Sequence, residues 1–227
     1  MRVLTWNIAS IIIFKFLRFI KHNGKNIDHW AFHPFINADF VSKLIGNINP
    51  DIIFLQEFQF KEDAESINGL IEYPYKTFIL TSLPHNTYTL IASKQPFVIE
   101  THNGITLIKY ENIIYIPIHL HAFSSRKRSQ ELINILGLFS EGERYVIIGD
   151  ANMASRGSKY IFSKDRKSYK KILSKLNDIT SNIKSTTIFL LSLDKVFVSK
   201  DINIKHVERL KERGKYMDHY PVYFYFE

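Results

Sequence analysis

Several apolar stretches of this chain run into polar residues of one chemical kind. Arg2-Val-Leu-Thr-Trp-Asn7 ends in Asn7, and Asp51-Ile-Ile-Phe-Leu-Gln56-Glu57 ends in Gln56 and Glu57. Tyr145-Val-Ile-Ile-Gly149-Asp150-Ala-Asn152 ends in Asp150 and Asn152, the run from Ile113 to Leu120 carries His119, and Asp218-His219 opens the last such stretch. A carboxylate, amide or imidazole at a strand tip can simply cap it or begin a loop, and for any one of these alone that is the better explanation. Taken together, acids, amides and imidazoles without a matching set of basic residues in those segments would line an acidic pocket. Oxygen donors of this kind suit a hard divalent cation such as Mg²⁺ or Mn²⁺, which keeps several waters and bridges to phosphate. Zinc would call for more His or Cys at short spacing, and the chain has no cysteine. Disulfides, thiolate metal sites and cysteine nucleophiles are therefore excluded.

Positioning those tips requires many short strands. Runs rich in β-branched and aromatic residues recur at Arg2–Asn7, Asp51–Glu57, Lys76–Thr81, Thr87–Ser93, Ile105–Lys109, Ile113–Leu120, Tyr145–Asp150, Leu193–Ser199 and Tyr220–Phe226. Several are almost wholly apolar and should be buried on both faces. Helical spacing is fainter. Ile36, Phe40, Val41, Leu44, Ile45 and Ile48 share a face, with Asn37 to cap it and Asn49-Pro50 to stop it. Leu132, Ile133, Leu136 and Phe139 repeat that arrangement, and Ile172, Leu173 and Leu176 suggest a third helix. Strands outnumber helices and only some are joined by one, which favours a mixed-sheet α/β sandwich over a doubly wound parallel sheet.

At 227 residues, 45% apolar and 23% charged, the chain has the balance of a folded protein, and one domain over residues 1–227 fits its length. Its 30 Lys+Arg against 22 Asp+Glu leave +8, a bias toward polyanionic partners such as nucleic acid or an anionic membrane surface. Ile11 to Ile20 is the most membrane-like stretch, but Lys15 and Arg18 interrupt it and it falls short of about 18 apolar residues. Trp6, Asn7 and Ser10 also spoil the start as a signal peptide. The expectation is an intracellular monomer.

Six motifs then stand in one order: Thr5-Trp6-Asn7-Ile8, Leu55-Gln56-Glu57, Ile118-His119-Leu120, Ile148-Gly149-Asp150-Ala151-Asn152, Leu193-Asp194-Lys195-Val196-Phe197-Val198 and Asp218-His219-Tyr220-Pro221-Val222. In that order they resemble the endonuclease/exonuclease/phosphatase superfamily, its deoxyribonuclease I-like metallophosphoesterases in particular. The resemblance implies a four-layer α/β sandwich, two mixed β-sheets flanked by helices, with the site at one edge. It also implies a Mg²⁺-dependent phosphodiesterase, Mn²⁺ being the other cation that fits.

By that resemblance Glu57 is the principal metal ligand, helped by Asn7, with Asp218 a further metal-side acid. Asp150 matches the acid that positions and deprotonates water, and Asn152 the amide that holds a phosphate oxygen. His219 would bind the phosphate or assist proton transfer while paired with Asp194. His119 matches a second histidine that contacts phosphate or protonates the leaving group, a place His121 could also fill.

Ala9 stands where exonuclease III-like and abasic-site enzymes carry Asp, Phe58-Gln59 where they carry Thr-Lys, and Leu191 where they carry an aromatic residue. These departures count against abasic-site repair, and Ala9 also counts against a tyrosyl-DNA phosphodiesterase; Met217 replaces the usual Ser before Asp-His. Basic stretches at Arg126-Lys127-Arg128, Lys159 to Lys175 and Lys205 to Lys215 would grip a backbone without reading sequence. The expected activity is a nuclease acting on DNA with weak sequence preference. The alternatives are a phospholipid or sphingomyelin-type phosphodiesterase, for which Ile11–Ile20 would lie on a membrane, and a catalytically silent binding module. The aromatic-rich segment from Trp30 to Phe35 would instead stack on bases.

Overall fold

Strands that are apolar on both faces need cover on both. The computed structural model of the chain provides it with two packed six-stranded sheets and helices outside each. It describes residues 1–8, 38–58, 67–82, 87–122, 124–153, 163–188, 191–214 and 217–227. Ala9, Ile11–Ile20, Trp30–Phe35, Ile36, Asn37, Gln59, Lys215 and the beginning of the Lys159–Lys175 run lie outside those residues.

In chain order the elements are β1 (Arg2–Asn7), α1 (Ala38–Ile48), β2 (Ile52–Phe58), β3 (Tyr75–Ser82), β4 (Thr87–Ser93), β5 (Val98–His102), β6 (Ile105–Tyr110) and β7 (Ile113–His119). There follow α2 (Ser125–Leu136), β8 (Tyr145–Asp150), α3 (Ser163–Lys175), β9 (Leu176–Asp178), β10 (Asp194–Ser199), β11 (Ile204–Arg209) and β12 (Val222–Phe226). The first sheet has the order β11-β12-β1-β2-β4-β3 and the second β5-β6-β7-β8-β10-β9. Each contains one parallel pair, β1–β2 and β7–β8, and its other pairings are antiparallel.

Three apolar layers hold the sheets and helices together. Between the sheets lie Ile52, Phe54, Tyr115, Ile148, Val196 and Phe224. Outside the first sheet, Trp6 and Leu55 pack with Val41 and Ile45 of α1. Outside the second, Ile116 and Ile147 pack with Leu132 of α2 and Ile172 of α3. Alternation along each strand thus sends successive side chains into different layers, and each large side chain so buried contributes about 1.5–3 kcal/mol. The expected four-layer sandwich is the architecture observed. Among the described residues no helix is long and apolar enough to cross a membrane.

The helices differ from expectation in detail. Ser124 caps α2 by accepting from the Lys127 N–H at 3.3 Å, but Ile133, expected on its buried face, is 39% exposed and Ile135 is buried in its place. Phe139 lies past the helix end, stacked on Tyr145 with centroids 4.1 Å apart. Of the face expected for α3, Ile172 is buried and Leu173 is 37% exposed, while Leu176, also buried, already belongs to β9. A stop at Asn49 does occur, its φ of 49° lying in the left-handed region that ends helices.

Candidate active site

Parallel pairing brings strand tips together in register. Asn7 lies opposite Gln56 across β1–β2, and His119 opposite Asp150 across β7–β8. On the other side of β8, Asp194 at the start of antiparallel β10 is also opposite Asp150. The two sheets meet at this rim. The Asn7 side-chain amide donates from Nδ2 to Glu57 Oε1 at 2.8 Å, within its own sheet, and to Asp150 Oδ2 at 3.3 Å, in the other. His119 Nε2 lies 3.3 Å from Glu57 Oε1 and 3.9 Å from Asp150 Oδ2.

The backbone bends to achieve this. Pairing of β2 with β4 slips between Leu55 and Phe58, and Glu57 sits at φ 67°, a conformation a long side chain adopts only when its surroundings impose it. Asn152, two residues beyond Asp150, is likewise at φ 49°. Gly149 has φ 134°, and a Cβ there would come within 2.2 Å of the Ile118 carbonyl oxygen and 2.5 Å of Gln56 Nε2. Only glycine lets β8 come this close to its neighbours.

His219 reaches the rim from the segment before β12. Its Nδ1 lies 2.8 Å from Asp194 Oδ2 and its Nε2 3.9 Å from Asp150 Oδ2. Trp6 Nε1 donates to the His219 carbonyl at 3.1 Å, and Thr187 forms an isolated β-bridge with His219. Burial pulls the imidazolium pKa down, but Asp194, then Asp150 and Asp218, outweigh that and raise it from 6.5 to about 10. The ring is therefore cationic at neutral pH. Burial raises the Asp150 pKa despite the opposing pull of His219, and the Asp218 pKa is raised for the same leading reason.

Of the residues expected at the site, Asn7, Glu57, His119, Asp150, Asp194 and His219 form one contiguous cluster. Glu57, His119 and Asp150 present ligand atoms within 4.8 Å of one another. This trio includes His119, not His121, and does not include Asp218. Asp218 is buried next to His219 and acts on that ring electrostatically. Asn152 donates its backbone N–H to Asp150 Oδ1 at 2.7 Å and its Nδ2 to the Leu120 carbonyl at 2.8 Å, so it buttresses both Asp150 and the chain after His119.

Two oxygen donors and an imidazole fit a divalent cation. The charge balance points the same way: no lysine or arginine among the described residues pairs with Asp150 or Asp194, whose ion-pair partners there are His119 and His219. His119 Nδ1 is buried without a hydrogen-bond partner, which leaves this ring held through Nε2 alone.

Gln56 has a larger part than its sequence suggests. Fully buried, it accepts from the Asp150 N–H at 2.9 Å through Oε1 and donates from Nε2 to Thr5 Oγ1 at 3.2 Å, tying the first sheet to the second directly behind the acids. The signal was available: Ile52, Phe54 and Gln56 alternate, which sets the amide on the face between the sheets. Arg128, read from sequence as part of a backbone grip, is buried instead. It makes a two-pronged ion pair with Asp165 of α3 at 3.2 and 2.6 Å and donates from Nη1 to the carbonyls of His121 and Ala122, both at 2.8 Å.

The model of the endonuclease/exonuclease/phosphatase family matches residues 4–217. Among solved structures, the chain is similar to an AP endonuclease from Archaeoglobus fulgidus at 16% identity and TM-score 0.73, covering 100% of this chain and 99% of that one. A mannosyl-6-phosphatase of Bacteroides thetaiotaomicron is similar at 14% identity and TM-score 0.66, with the same coverage. An endonuclease/exonuclease/phosphatase from Beutenbergia cavernae is similar at 15% identity and TM-score 0.67, covering 99% of this chain and 70% of that one. A search of curated protein sequences found no match. With the sheet order in place, the acids and imidazoles gathered at one rim and the family match spanning nearly every strand, the chain belongs to the endonuclease/exonuclease/phosphatase family, whose members hydrolyse phosphate esters.

Proposed function

We propose that this protein is a Mg²⁺-dependent phosphodiesterase, with Mn²⁺ able to substitute, that cleaves nucleic acid and DNA in particular, with weak sequence preference. The observation that carries the reading is the cluster of Glu57, His119 and Asp150 within 4.8 Å, set beside a histidine kept cationic by Asp194. A net charge of +8 surrounding an acidic pocket supports a polyanionic substrate that enters the pocket with its charge neutralised there.

In this reading Glu57 and His119 would hold the cation with Asp150 at its edge, and the cation would supply positive charge against the phosphoryl oxygens. The remaining chemistry belongs to the chain's own side chains. Asp150, whose buried carboxyl favours the proton more than an exposed one, takes a proton from the water whose oxygen forms the new bond to phosphorus. The bond from phosphorus to the ester oxygen breaks in line with that attack, and the imidazolium of His219 offsets the growing negative charge. The departing oxygen receives its proton from the His219 imidazolium, and because water is the attacking group no covalent enzyme intermediate forms. Asp194 fixes the His219 ring through Nδ1, leaving Nε2 facing the acids.

The lipid-phosphodiester alternative drew on Ile11–Ile20, outside the described residues. The test is a substrate panel of plasmid, single-stranded DNA, RNA, sphingomyelin liposomes and mannose 6-phosphate, each with Mg²⁺, Mn²⁺ or EDTA. Cleavage of the nucleic acids that EDTA abolishes is the expected result. Turnover of the sugar phosphate or lipid alone would sink the nuclease reading while keeping the phosphoesterase.

A further inference from the structure

The basic run from Lys205 to Lys215 contains two arginines that pair with no carboxylate among the described residues. Arg209, at the end of β11, lays its guanidinium over the ring of Tyr220, Cζ 4.0 Å from the centroid, and Arg213 approaches the same ring at 5.5 Å. Tyr220 is the residue after His219. Arg209 Nη1 makes one long bond, 3.4 Å, to the Ser185 carbonyl, and its Nε is buried with no hydrogen-bond partner. Arg213 Nη1 donates to the carbonyls of Gly214 and Met217. Neither guanidinium pairs with a carboxylate among the described residues: Glu208 is engaged by His206 and Glu227 by Lys205, and exposed Glu212 pairs with neither.

Main-chain bonds explain only part of this arrangement. The two side chains grip the segments on either side of His219: Ser185 is two residues from Thr187, which bridges His219, and Met217 directly precedes Asp218. Through Tyr220, the residue next to His219, both arginines are tied to the segment that carries the catalytic imidazole. But a guanidinium has five N–H donors; the Arg209 Nε is closed off, and of the two terminal nitrogens only Nη1 makes a bond, a long one, so the end of the fork is left open to a ligand. Stacking on a tyrosine orients the fork without neutralising its charge. An oxyanion with two adjacent oxygens would satisfy it, and phosphate matches that fork.

We propose that Arg209 and Arg213, stacked on Tyr220, form a phosphate subsite beside the hydrolytic centre, which takes a phosphate of the substrate other than the one being cleaved. The proposal rests on the phosphoesterase reading and narrows it to substrates with phosphodiesters in series, that is, a nucleic acid strand. A sugar monophosphate or a single-phosphate lipid has nothing to put there.

The test separates binding from turnover by working in the Glu57→Gln background in EDTA, with a fluorescein-labelled single-stranded oligonucleotide followed by anisotropy across a salt series. Adding Arg209→Gln and Arg213→Gln should weaken binding at least about tenfold and flatten the dependence of log affinity on log salt by about 0.7 per lost phosphate contact. Arg209→Lys, which keeps the charge but loses the fork, should fall between. Should the double variant not fold, Arg209→Gln alone decides, because Arg213 still holds the Met217 carbonyl. In the active enzyme, Arg209→Gln should lower kcat/KM for the oligonucleotide at least about fivefold more than for bis(p-nitrophenyl) phosphate, which carries a single phosphate. Affinity and salt slope equal to the parent's, with only a lower melting temperature, would mean that the arginines brace the loop and do nothing else. An enzyme that hydrolyses neither substrate defeats the phosphoesterase reading, and the anisotropy series still judges the subsite.

Discussion

Two sets of buried charges in this molecule are built on opposite principles. Beneath the outer helices, Arg128 and Asp165 are each 3% exposed at the side chain and face each other in a two-pronged pair, and Arg128 Nη1 also donates to the His121 and Ala122 carbonyls. Lys195 is equally buried and lies 3.6 Å from Asp178, which also accepts from Tyr169 and Thr180. At the rim, Asp150 is 2% exposed and faces Asp194, Glu57 and two imidazoles, with the acids in the majority. The fold closes its structural charges one against one. It leaves the rim short of a cation, the imbalance on which the proposed metal site rests.

Removing a charge should therefore have opposite consequences in the two places. The largest effect is expected from Glu57→Gln, which should lower kcat about 10⁴-fold, near 5.4 kcal/mol of transition-state stabilisation, while the metal-free melting temperature moves by less than about 3 °C. A rate within tenfold of the parent would show that Glu57 is not needed. Arg128→Met should reverse the pattern. It strands Asp165 in the interior and should cost about 3–5 kcal/mol in urea unfolding, and the Arg128→Met/Asp165→Leu double substitution should recover most of that. A double variant no more stable than the single one would contradict the view of Arg128 and Asp165 as a closed pair.

Next in size is the response to the cation itself. Mn²⁺ or Mg²⁺ at 100 times its dissociation constant should stabilise the native state by about 2.7 kcal/mol, raising the melting temperature by about 5–10 °C, and Glu57→Gln should abolish the shift. A shift that survives in that variant would place the cation elsewhere. A further effect, read as a pH dependence, concerns His219. Because its folded pKa is raised from 6.5 to about 10, its contribution to stability is fully present below pH 6.5 and is lost as pH rises toward 10. The metal-free melting temperature should fall across that interval, and His219→Gln should flatten the decline. Parallel curves for the two proteins would mean that Asp194 does not hold the imidazolium in the folded state.

Much of the rim was legible in the sequence because a polar residue ending an apolar run can occupy few places. Asn7, Glu57, His119 and Asp150 are all at strand ends for that reason, and parallel pairing then aligned them. Other features left no local trace. The three strands not expected from sequence are β5, exposed at a sheet edge; β11, another edge strand in which charged residues interrupt the apolar pattern; and β9, three residues long. Tertiary pairing, not propensity, makes them strands. Arg128 looked like a solvated cation because Asp165, 37 residues away, is what buries it. The left-handed backbone at Glu57 was equally hidden, since nothing in Leu-Gln-Glu-Phe asks for it; the slipped register against β4 imposes it.

The placement of β1 has a temporal meaning. It lies between β2 and β12, and Trp6 reaches His219 across 213 positions of chain. Of the twelve strands, β12 is the last to leave the ribosome. Until it docks, one flank of β1 is open and Asp194 has no imidazole to hold. A nascent chain whose β12 has not docked would hold Glu57, His119 and Asp150 without a fixed His219, so on the proposed reading hydrolysis should begin only once this strand is in place.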